Sequence, residues 1–193
     1  ANPVKMVNFN KYIHYAGGTL AGIASGAVVD FLCSAALTNV RRMIIFPFYH
    51  ADSNGGLDPL ESPFCDDATS MASPYCRISK FNVKINNRNM FPKDIEYDFE
   101  HFISNGIQSE GNASSGFNMG NSSGLIDYAT WQCYPHVIAN LSRKERSEED
   151  VPQAIGVTFT NATKVKCSYR ILLEYEYVVQ LNKETGLVIR HGR

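Results

Sequence analysis

Segments rich in β-branched and aromatic residues recur along the whole chain, and they limit the fold more than any other feature. In Ile78–Ile85 the apolar residues alternate with Lys80, Asn82 and Lys84. Alternation of this kind places one face of a β-strand in a core and the other face in solvent. The following pair, Asn86 and Asn87, tolerates positive φ, so the sequence predicts a tight hairpin there.

About eight strand candidates of this kind are spread along the chain, the number of strands in a jelly roll. We expect the third of them to end at Pro47, because proline cannot donate to a sheet ladder. The candidates are Val4–Tyr15, Ala27–Ala36, Val40–Tyr49, Ile78–Ile85, His136–Leu141, Val157–Phe159, Lys164–Val179 and Leu187–Ile189.

Two helices are predicted between the central strands. In Lys93–Asn105 the apolar residues fall at a spacing that forms one helix face, and Gly106 stands where a helix would stop. Leu125–Tyr134 is the second candidate. Because strands and helices do not alternate regularly, a doubly wound α/β fold is disfavoured. We therefore predict an all-β fold, an eight-stranded antiparallel jelly-roll sandwich with one or two short helices in its connecting loops.

The length of 193 residues suits a single domain over residues 1–193. Three polar segments interrupt the predicted strands, at His50–Pro74, Gln108–Gly124 and Ser142–Asp150. The first is longer than a usual connection, which suggests an exposed functional or assembly loop.

The charge and the motifs give no indication of catalysis. The 18 basic and 19 acidic residues nearly cancel, so the electrostatic footprint of a dedicated nucleic-acid binder is missing. The sequence contains neither an H-E-x-x-H motif nor a phosphate-binding G-x-x-x-x-G-K-[ST] loop. The histidines, scattered without metal-ligand spacing, are His14, His50, His101, His136 and His191. We predict no enzyme activity, no catalytic, cofactor-binding or metal-ligating residue and no cofactor.

The five cysteines are Cys33, Cys65, Cys76, Cys133 and Cys167, and no C-x-x-C motif occurs among them. We expect buried thiols in a reducing, intracellular compartment. A pairing of Cys65 with Cys76 stays open, since these two residues flank a Ser/Pro/Asp-rich segment. His136 lies three residues after Cys133, but a metal site needs more ligands than these two.

Four glycosylation sequons begin at Asn112, Asn121, Asn140 and Asn161. We expect chance matches rather than occupied sites, because the chain is rich in Asn and Ser and opens without the charged region of a signal peptide. The uncharged segment Tyr12–Val29, with glycines at positions 18, 22 and 26, leaves a membrane-active role as an alternative. Its weak hydrophobicity favours two strands joined by a Gly-rich turn, so membrane contact is not expected.

Several strings resemble the double jelly-roll major capsid proteins of Polinton-like and adintovirus-like DNA elements. The most specific is Phe81–Phe102, which looks like the strand, hairpin, Phe-Pro and helix of that family. The resemblance covers roughly residues 37–190. Its other parts are Asn39–Arg42 running to Phe46–Phe48, Ser123–Ile126, Asn140–Arg143, Glu149–Pro152, Leu173–Tyr177 and Thr185–Gly186.

The resemblance implies a structural capsid protein without catalytic activity. It implies trimeric capsomers that tile an icosahedral shell, with copies of this chain and other capsid proteins as partners, assembled in the nucleus or cytoplasm of a host cell. The length has room for one jelly roll, so the chain corresponds to the C-terminal half of such a protein, a processed product or a single jelly-roll relative. The segments at His50–Pro74 and Gln108–Gly124 are then expected to contact neighbours or face outward.

Carbohydrate or receptor binding is the alternative function, as in a viral spike head or a lectin. Exposed aromatic side chains such as Tyr75, Phe117 or Trp131 could stack on sugar rings in such a protein.

Overall fold

A computed structural model of the chain describes residues 4–50, 75–110, 128–142, 151–183, 185 and 188–190. Strands dominate this part of the chain. Its elements are β1 (Val4–Tyr15), a 3-10 turn (Gly18–Leu20), β2 (Val28–Leu37), β3 (Val40–Tyr49), β4 (Ile78–Ile85), β5 (Arg88–Asn89), α1 (Phe99–Glu110), α2 (Tyr128–Cys133), β6 (Val137–Asn140), β7 (Gln153–Asn161), β8 (Cys167–Asn182) and β9 (Val188–Arg190).

The strands form two antiparallel sheets. The first has the order β1-β8-β3-β6, with β9 also paired to β8, and the second has the order β2-β7-β4-β5. Successive strands of the chain therefore alternate between the two sheets, except for the β4–β5 and β8–β9 hairpins, and crossing from sheet to sheet in this way is typical of a jelly roll. The predicted fold class is confirmed, including the two helices between the central strands.

The core lies between the two sheets, where the apolar face of each sheet covers the other. In β8 the residues Cys167, Tyr169, Ile171 and Leu173 are buried, and the residues between them face outward. The opposite sheet contributes the buried residues Phe81, Val83, Ile155, Val157 and Phe159. The Phe159 and Tyr169 rings meet edge to face across this core, with centroids 4.7 Å apart.

Strand β3 does not end at Pro47, contrary to expectation, and continues to Tyr49. Pro47 pairs with Tyr169 of β8, whereas β6 pairs only with Arg42–Ile45 on the other side of β3. Pro47 thus lies at a local edge, where its missing N–H interrupts no ladder.

The boundaries predicted for the first helix were wrong. Helix α1 begins at Phe99 instead of Lys93 and continues through Gly106 to Glu110. Ile95 is taken into a strand-like bridge with Phe81, with N–O distances of 2.8 and 3.0 Å. The Asp98 carboxylate accepts a hydrogen bond from the His101 N–H at 2.9 Å, which caps the first turn.

The described part of the second helix is shorter than the range that the sequence predicted. It spans Tyr128–Cys133, and residues 125–127 of its predicted range lie outside the described residues. The hairpin predicted after Ile85 is confirmed, because Asn86 and Asn87 have φ values of 50° and 63°. Both asparagines therefore adopt the left-handed conformation that a tight turn requires.

The segment Tyr12–Val29 completes β1, makes a 3-10 turn and enters β2, as the preferred prediction required. Among the described residues, no helix has both the length and the apolar character to span a membrane. Most of the three polar segments lies outside the described residues, at 51–74, 111–124 and 143–150. Gln108–Glu110 are an exception, since they belong to α1 and not to a loop.

Candidate functional site

Strands β1 and β2 each form the edge of a sheet. Within the described residues β1 pairs only with β8, and β2 pairs only with β7. An edge strand presents unpaired backbone groups to whatever approaches it. Large apolar side chains are also exposed on these two strands, namely Met6, Val7, Phe9, Tyr12, Val28 and Leu32. The two edges are therefore candidate contact surfaces.

The far halves of β1 and β8 lack a covering layer. From Cys167 to Leu173 the residues of β8 alternate between buried and half-buried, but from Tyr175 to Asn182 all are half-buried. A sandwich strand alternates because one of its faces is covered, so the loss of alternation shows that neither face is fully covered in the described part of the chain. We call residues 4–11 of β1, residues 175–182 of β8 and β9 the terminal ribbon.

Aromatic side chains and a lysine occupy one face of the terminal ribbon. The Phe9 and Tyr177 rings lie 5.2 Å apart, and the Lys11 Nζ is 3.7 Å from the centroid of the Tyr177 ring. A cation over an aromatic face is attracted by the ring quadrupole. The ribbon thus presents an ordered aromatic surface that no second layer within the described ranges fully covers.

A buried carboxylate ties three strands together where the terminal ribbon joins the sandwich. Glu174 of β8 is 2% exposed, and its carboxylate accepts hydrogen bonds from the Arg42 guanidinium of β3 and the Asn10 amide of β1. The distance from Asn10 Nδ2 to Glu174 Oε1 is 2.6 Å. A buried charge is tolerated when it is paired and hydrogen-bonded, as it is here. This contact holds β1, β8 and β3 in register.

The opposite edge of the first sheet is closed by the region of α1. The Tyr97 hydroxyl donates to the carbonyl of Ile138 in β6 and accepts from the N–H of the same residue, both at 2.8 Å. The Asn105 side chain accepts from the Asn140 N–H at 3.3 Å. Burial raises the pKa of Tyr97, so the hydroxyl stays neutral and keeps both bonds. These side chains form hydrogen bonds with backbone N–H and C=O groups of β6. A further strand that paired with β6 would need the same backbone groups.

A second buried polar residue, Asn161, fastens the Gly-rich connection between β1 and β2. Its side-chain amide donates to the carbonyls of Ile23, Ala24 and Val165 at 2.9, 3.2 and 3.0 Å. Its side-chain oxygen accepts from the Thr163 N–H at 2.9 Å. Asn161 is 0% exposed, so water replaces none of these bonds in the folded protein.

His50 and Ser168 form another contact to the same connection. The distance from His50 Nδ1 to Ser168 Oγ is 2.8 Å, and that oxygen also accepts from the Gly22 N–H at 3.2 Å. Gly22 has a φ of 66°, and a Cβ atom there would lie 3.3 Å from the His50 ring. A side chain at this position would be strained in its backbone conformation and would press on the His50 ring, so the position favours glycine.

A cleft of about 110 Å³ opens between α1, α2 and the segment before β4. Its wall includes Phe99 and Trp131, whose ring centroids lie 5.7 Å apart, and its rim includes Tyr75 and Tyr128. The two tyrosines are 60% and 54% exposed. Arg77, Asp98 and Gln132 add polar groups to the lining. The cleft therefore combines aromatic surface with hydrogen-bonding side chains.

A solved structure with a similar arrangement comes from a virophage. A chain in the 3.5 Å cryo-EM structure of the Sputnik virophage matches with 13% identity and a TM-score of 0.51, over 100% of this chain and 40% of that chain. The two chains share the jelly-roll fold. The chain spans about half or less of the length of the structures it matches.

Two further matches have lower scores. The mavirus major capsid protein matches with 8% identity and a TM-score of 0.48, over 99% of this chain and 42% of its own. PBCV-1 VP54, fitted into a reconstruction of Sputnik, matches with 9% identity and a TM-score of 0.46, over 98% of this chain and 51% of its own. No family model matches the sequence, and no curated protein matches it significantly. The predicted resemblance is thus confirmed at the level of the jelly-roll fold.

The jelly roll buries three of the cysteines, as expected. Cys33, Cys76 and Cys167 are buried, and Cys133 is half-buried. Cys65 lies outside the described residues. Among the residues that the structure describes, no three His, Cys, Asp or Glu side chains gather to hold a metal ion, and this includes the neighbourhood of Cys133 and His136.

Two of the four sequons lie inside the jelly roll. Asn140 and Asn161 are 2% and 0% exposed, and their side chains hold backbone groups of neighbouring segments. A glycan on either amide would have to displace these bonds and enter the core. Asn112 and Asn121 lie outside the described residues.

His101 and His136 lie in different surroundings. His101 lies beside Asp98, with 2.6 Å between Nδ1 and Oδ1, and is 39% exposed at its side chain, in agreement with a surface position. Burial alone would raise the pKa of Asp98, but hydrogen bonds from His101 outweigh it and lower that pKa. His136 packs its ring against Phe102, and burial lowers its pKa. His191 lies outside the described residues.

The structure places two of the three aromatic residues that were candidates for stacking on sugar rings. Tyr75 and Trp131 line the same cleft, which sequence spacing did not indicate. The Trp131 ring also packs between Phe99 and Phe102, and its indole N–H donates to the His136 carbonyl at 3.1 Å. Phe117 lies outside the described residues.

Proposed function

We propose that this chain is a structural capsid protein that assembles with copies of itself and with other capsid proteins into the capsomers of an icosahedral shell. The observation that carries the proposal is the likeness of the jelly roll, over its full length, to a chain of the Sputnik virophage particle. The proposal contains no catalytic step and places the protein in the virion capsid, after assembly in the nucleus or cytoplasm of a host cell.

The terminal ribbon is the surface that we assign to self-assembly. It exposes apolar side chains on both faces, including Met6 at 62% and Phe9 at 41%. Contact between subunits through the faces of the ribbon would bury such side chains. It would desolvate few backbone polar groups, because the strands of the ribbon already form backbone hydrogen bonds with one another. The closed edge at β6 and the open edge at β1 also make the two sides of the sheet unequal, which suits a ring of three copies.

Substitution of Met6 tests this assignment. We expect the purified full chain to form trimers or larger particles, measured by light scattering after size exclusion and by negative-stain electron microscopy. Met6→Lys places a charge on the ribbon and should weaken association at least about tenfold, since truncated or charged interface anchors commonly cost more than about 1.4 kcal/mol.

Val151→Lys is the matched control for that substitution. Val151 is 49% exposed and lies just before β7, outside the two edge strands and the terminal ribbon. This variant should assemble like the unchanged chain. A full chain that stays monomeric and never enters particles contradicts the capsid proposal, whereas equal effects of the two variants contradict only the choice of surface.

Carbohydrate binding at the aromatic cleft is a second candidate function. It is favoured by the exposed Tyr75 and Tyr128 rings, which stand beside Arg77, Asp98 and Gln132. Aromatic faces that stack on sugar rings and polar side chains that bind hydroxyl groups are what such a site requires.

A glycan array followed by calorimetric titration tests the second function. The variant Tyr75→Ala/Tyr128→Ala should lower the affinity for any glycan found by at least about tenfold, which corresponds to about 1.4 kcal/mol. Tyr12→Ala is the control, because Tyr12 is 54% exposed like Tyr128 but lies on β1. An array without hits would remove this candidate.

A further inference from the structure

We infer that Cys76 and Cys167 are a site of reversible oxidation, at which a small peroxide converts the two buried thiols into a disulfide. The bond would join the segment that precedes β4 to the first residue of β8. The inference rests on the geometry of the two cysteines and is independent of the capsid proposal.

The two sulfur atoms are already neighbours. They lie 3.9 Å apart although 91 positions separate the residues in the sequence, and the residues are 5% and 0% exposed. A disulfide requires about 2.05 Å between the sulfurs, so they must approach by about 1.9 Å. A movement of this size needs side-chain rotation and a small backbone shift, and no rearrangement of the fold.

Cys76 is the residue that can make this movement. Cys167 is fixed, because its backbone exchanges hydrogen bonds of 2.9 and 2.8 Å with Ile23. Cys76 precedes β4 and stands outside every strand. Both of its neighbours are held, because the Tyr75 N–H donates to the Gln132 carbonyl at 2.8 Å and the Arg77 N–H donates to the Thr163 hydroxyl at 2.9 Å, so the shift falls on Cys76 itself.

The surroundings of the Cys167 sulfur favour its thiolate. The hydrogen bond from the Cys76 thiol contributes most, with Thr163, Tyr169 and Asn161 in support, and together they lower the pKa of Cys167 to about 7. Within the described chain the buried Tyr169 hydroxyl finds no other hydrogen-bond partner, so its donor is available to this sulfur. A thiolate is the nucleophilic form of cysteine.

Cys33 shows that burial alone does not produce this behaviour. It is also buried, at 3% exposure, and burial raises its pKa to about 12. A thiol with that pKa stays protonated at neutral pH and reacts slowly. Oxidation should therefore select the Cys76–Cys167 pair over Cys33.

A small oxidant can reach Cys76 through the aromatic cleft. Cys167 does not line the cleft, so the oxidant passes Cys76 to reach the Cys167 sulfur, which lies 3.9 Å from the Cys76 sulfur. Cys76 lines the cleft together with Tyr75 and His136, and the cleft volume is about 110 Å³. A water molecule takes up about 30 Å³ in the liquid, so hydrogen peroxide, roughly twice that size, fits.

The reaction balances with hydrogen peroxide as the oxidant. The Cys167 thiolate attacks one peroxide oxygen, an S–O bond forms, the O–O bond breaks, and the leaving hydroxide takes up a proton to give water. The Cys76 sulfur then attacks the sulfenic sulfur of Cys167, the S–S bond forms, the S–O bond breaks, and the Cys76 proton leaves with the hydroxide as a second water. The two thiols lose two electrons and two protons in total, and the peroxide gains them.

The test treats the reduced full chain with hydrogen peroxide at neutral pH and then removes the oxidant. We expect the intact mass to fall by about 2 Da and a non-reduced digest to contain the Cys76 and Cys167 peptides joined. The Tm should rise by about 5 °C or more and return after dithiothreitol, because the bond closes a long loop in the unfolded chain.

Three single variants sharpen the assignment. Cys76→Ser and Cys167→Ser should lose both the mass change and the Tm shift, whereas Cys33→Ser should retain both. If either serine variant fails to fold, the joined peptides of the unchanged chain still decide the question. A Cys65–Cys76 linkage, or a gain of oxygen atoms without any linkage, overturns the inference.

Discussion

Replacing Glu174 with alanine is expected to lower the free energy of unfolding by about 3 kcal/mol, the lower end of the range for breaking a buried ion pair. The change removes the carboxylate from the Arg42 guanidinium and from the Asn10 amide, and the Arg42 side chain is only 18% exposed. Because the contact joins β1, β8 and β3, its loss should also loosen the pairing at the base of the terminal ribbon.

Urea denaturation measures this change, and the Tm should fall by about 6 to 12 °C for a chain of this size. Glu176→Ala is the matched control. Glu176 lies two residues further along β8 and pairs with Arg41 at 2.9 Å, but the side chains of Arg41 and Glu176 are 46% and 21% exposed. An ion pair open to solvent contributes about 0 to 1 kcal/mol. Equal losses in the two variants would show that burial does not set the strength of the Glu174 contact.

Replacing Asn161 with alanine is expected to cost about 3 to 5 kcal/mol. The change leaves the carbonyls of Ile23, Ala24 and Val165 without their side-chain donor and the Thr163 N–H without its acceptor. The Ile23 and Ala24 carbonyls keep backbone donors, the N–H groups of Cys167 and Ala27, so the Val165 carbonyl and the Thr163 N–H are the groups most affected. Each buried polar group that loses its partner costs about 1 to 3 kcal/mol, although neighbouring groups do not add fully. The Gly-rich connection between β1 and β2 should become accessible to proteases and to amide exchange.

Two further substitutions isolate the cause. Asn161→Asp keeps the shape of the side chain and the oxygen that accepts from the Thr163 N–H. It replaces the amide donor with a second carboxylate oxygen, which is repelled by the three carbonyl oxygens. The variant should therefore destabilise the protein at least as much as alanine does. Asn140→Ala is the control: its side chain serves mainly the adjacent Ser142 N–H and hydroxyl, at 3.0 and 2.6 Å, and Ser142 is exposed to water. A loss of about 1 kcal/mol is expected there. If Asn161→Asp were as stable as the unchanged chain, the donor bonds would not be the stabilising element.

These two residues were hidden in the sequence for different reasons. Asn161 is visible only as part of a sequon, and Glu174 only as a polar residue on a β-type background. Their partners lie far away along the chain: 164 positions separate Asn10 from Glu174, and 138 separate Ile23 from Asn161. The pattern of neighbouring residues cannot indicate a hydrogen bond between two residues that lie so far apart in the sequence.

Local structure was easier to predict from the sequence. The bounds of β1, the start of β3, the Asn86–Asn87 hairpin and the presence of two helices followed from side-chain periodicity and turn chemistry. The start of α1 did not, because the periodic pattern included Ile95, whose backbone instead pairs with Phe81. Long-range pairing took precedence over a helical pattern that was locally consistent.

The amino-acid sequence by itself determined that this chain is built from strands, since alternation and turn residues act over a few neighbouring positions. Only the tertiary structure decided which strands pair, that no layer of the described residues fully covers the terminal ribbon, and that Cys76 lies beside Cys167. These features depend on how the loops close and which faces meet, and both are properties of the whole chain. The candidate assembly surface and the candidate oxidation site therefore arise from the pairing order of the jelly roll.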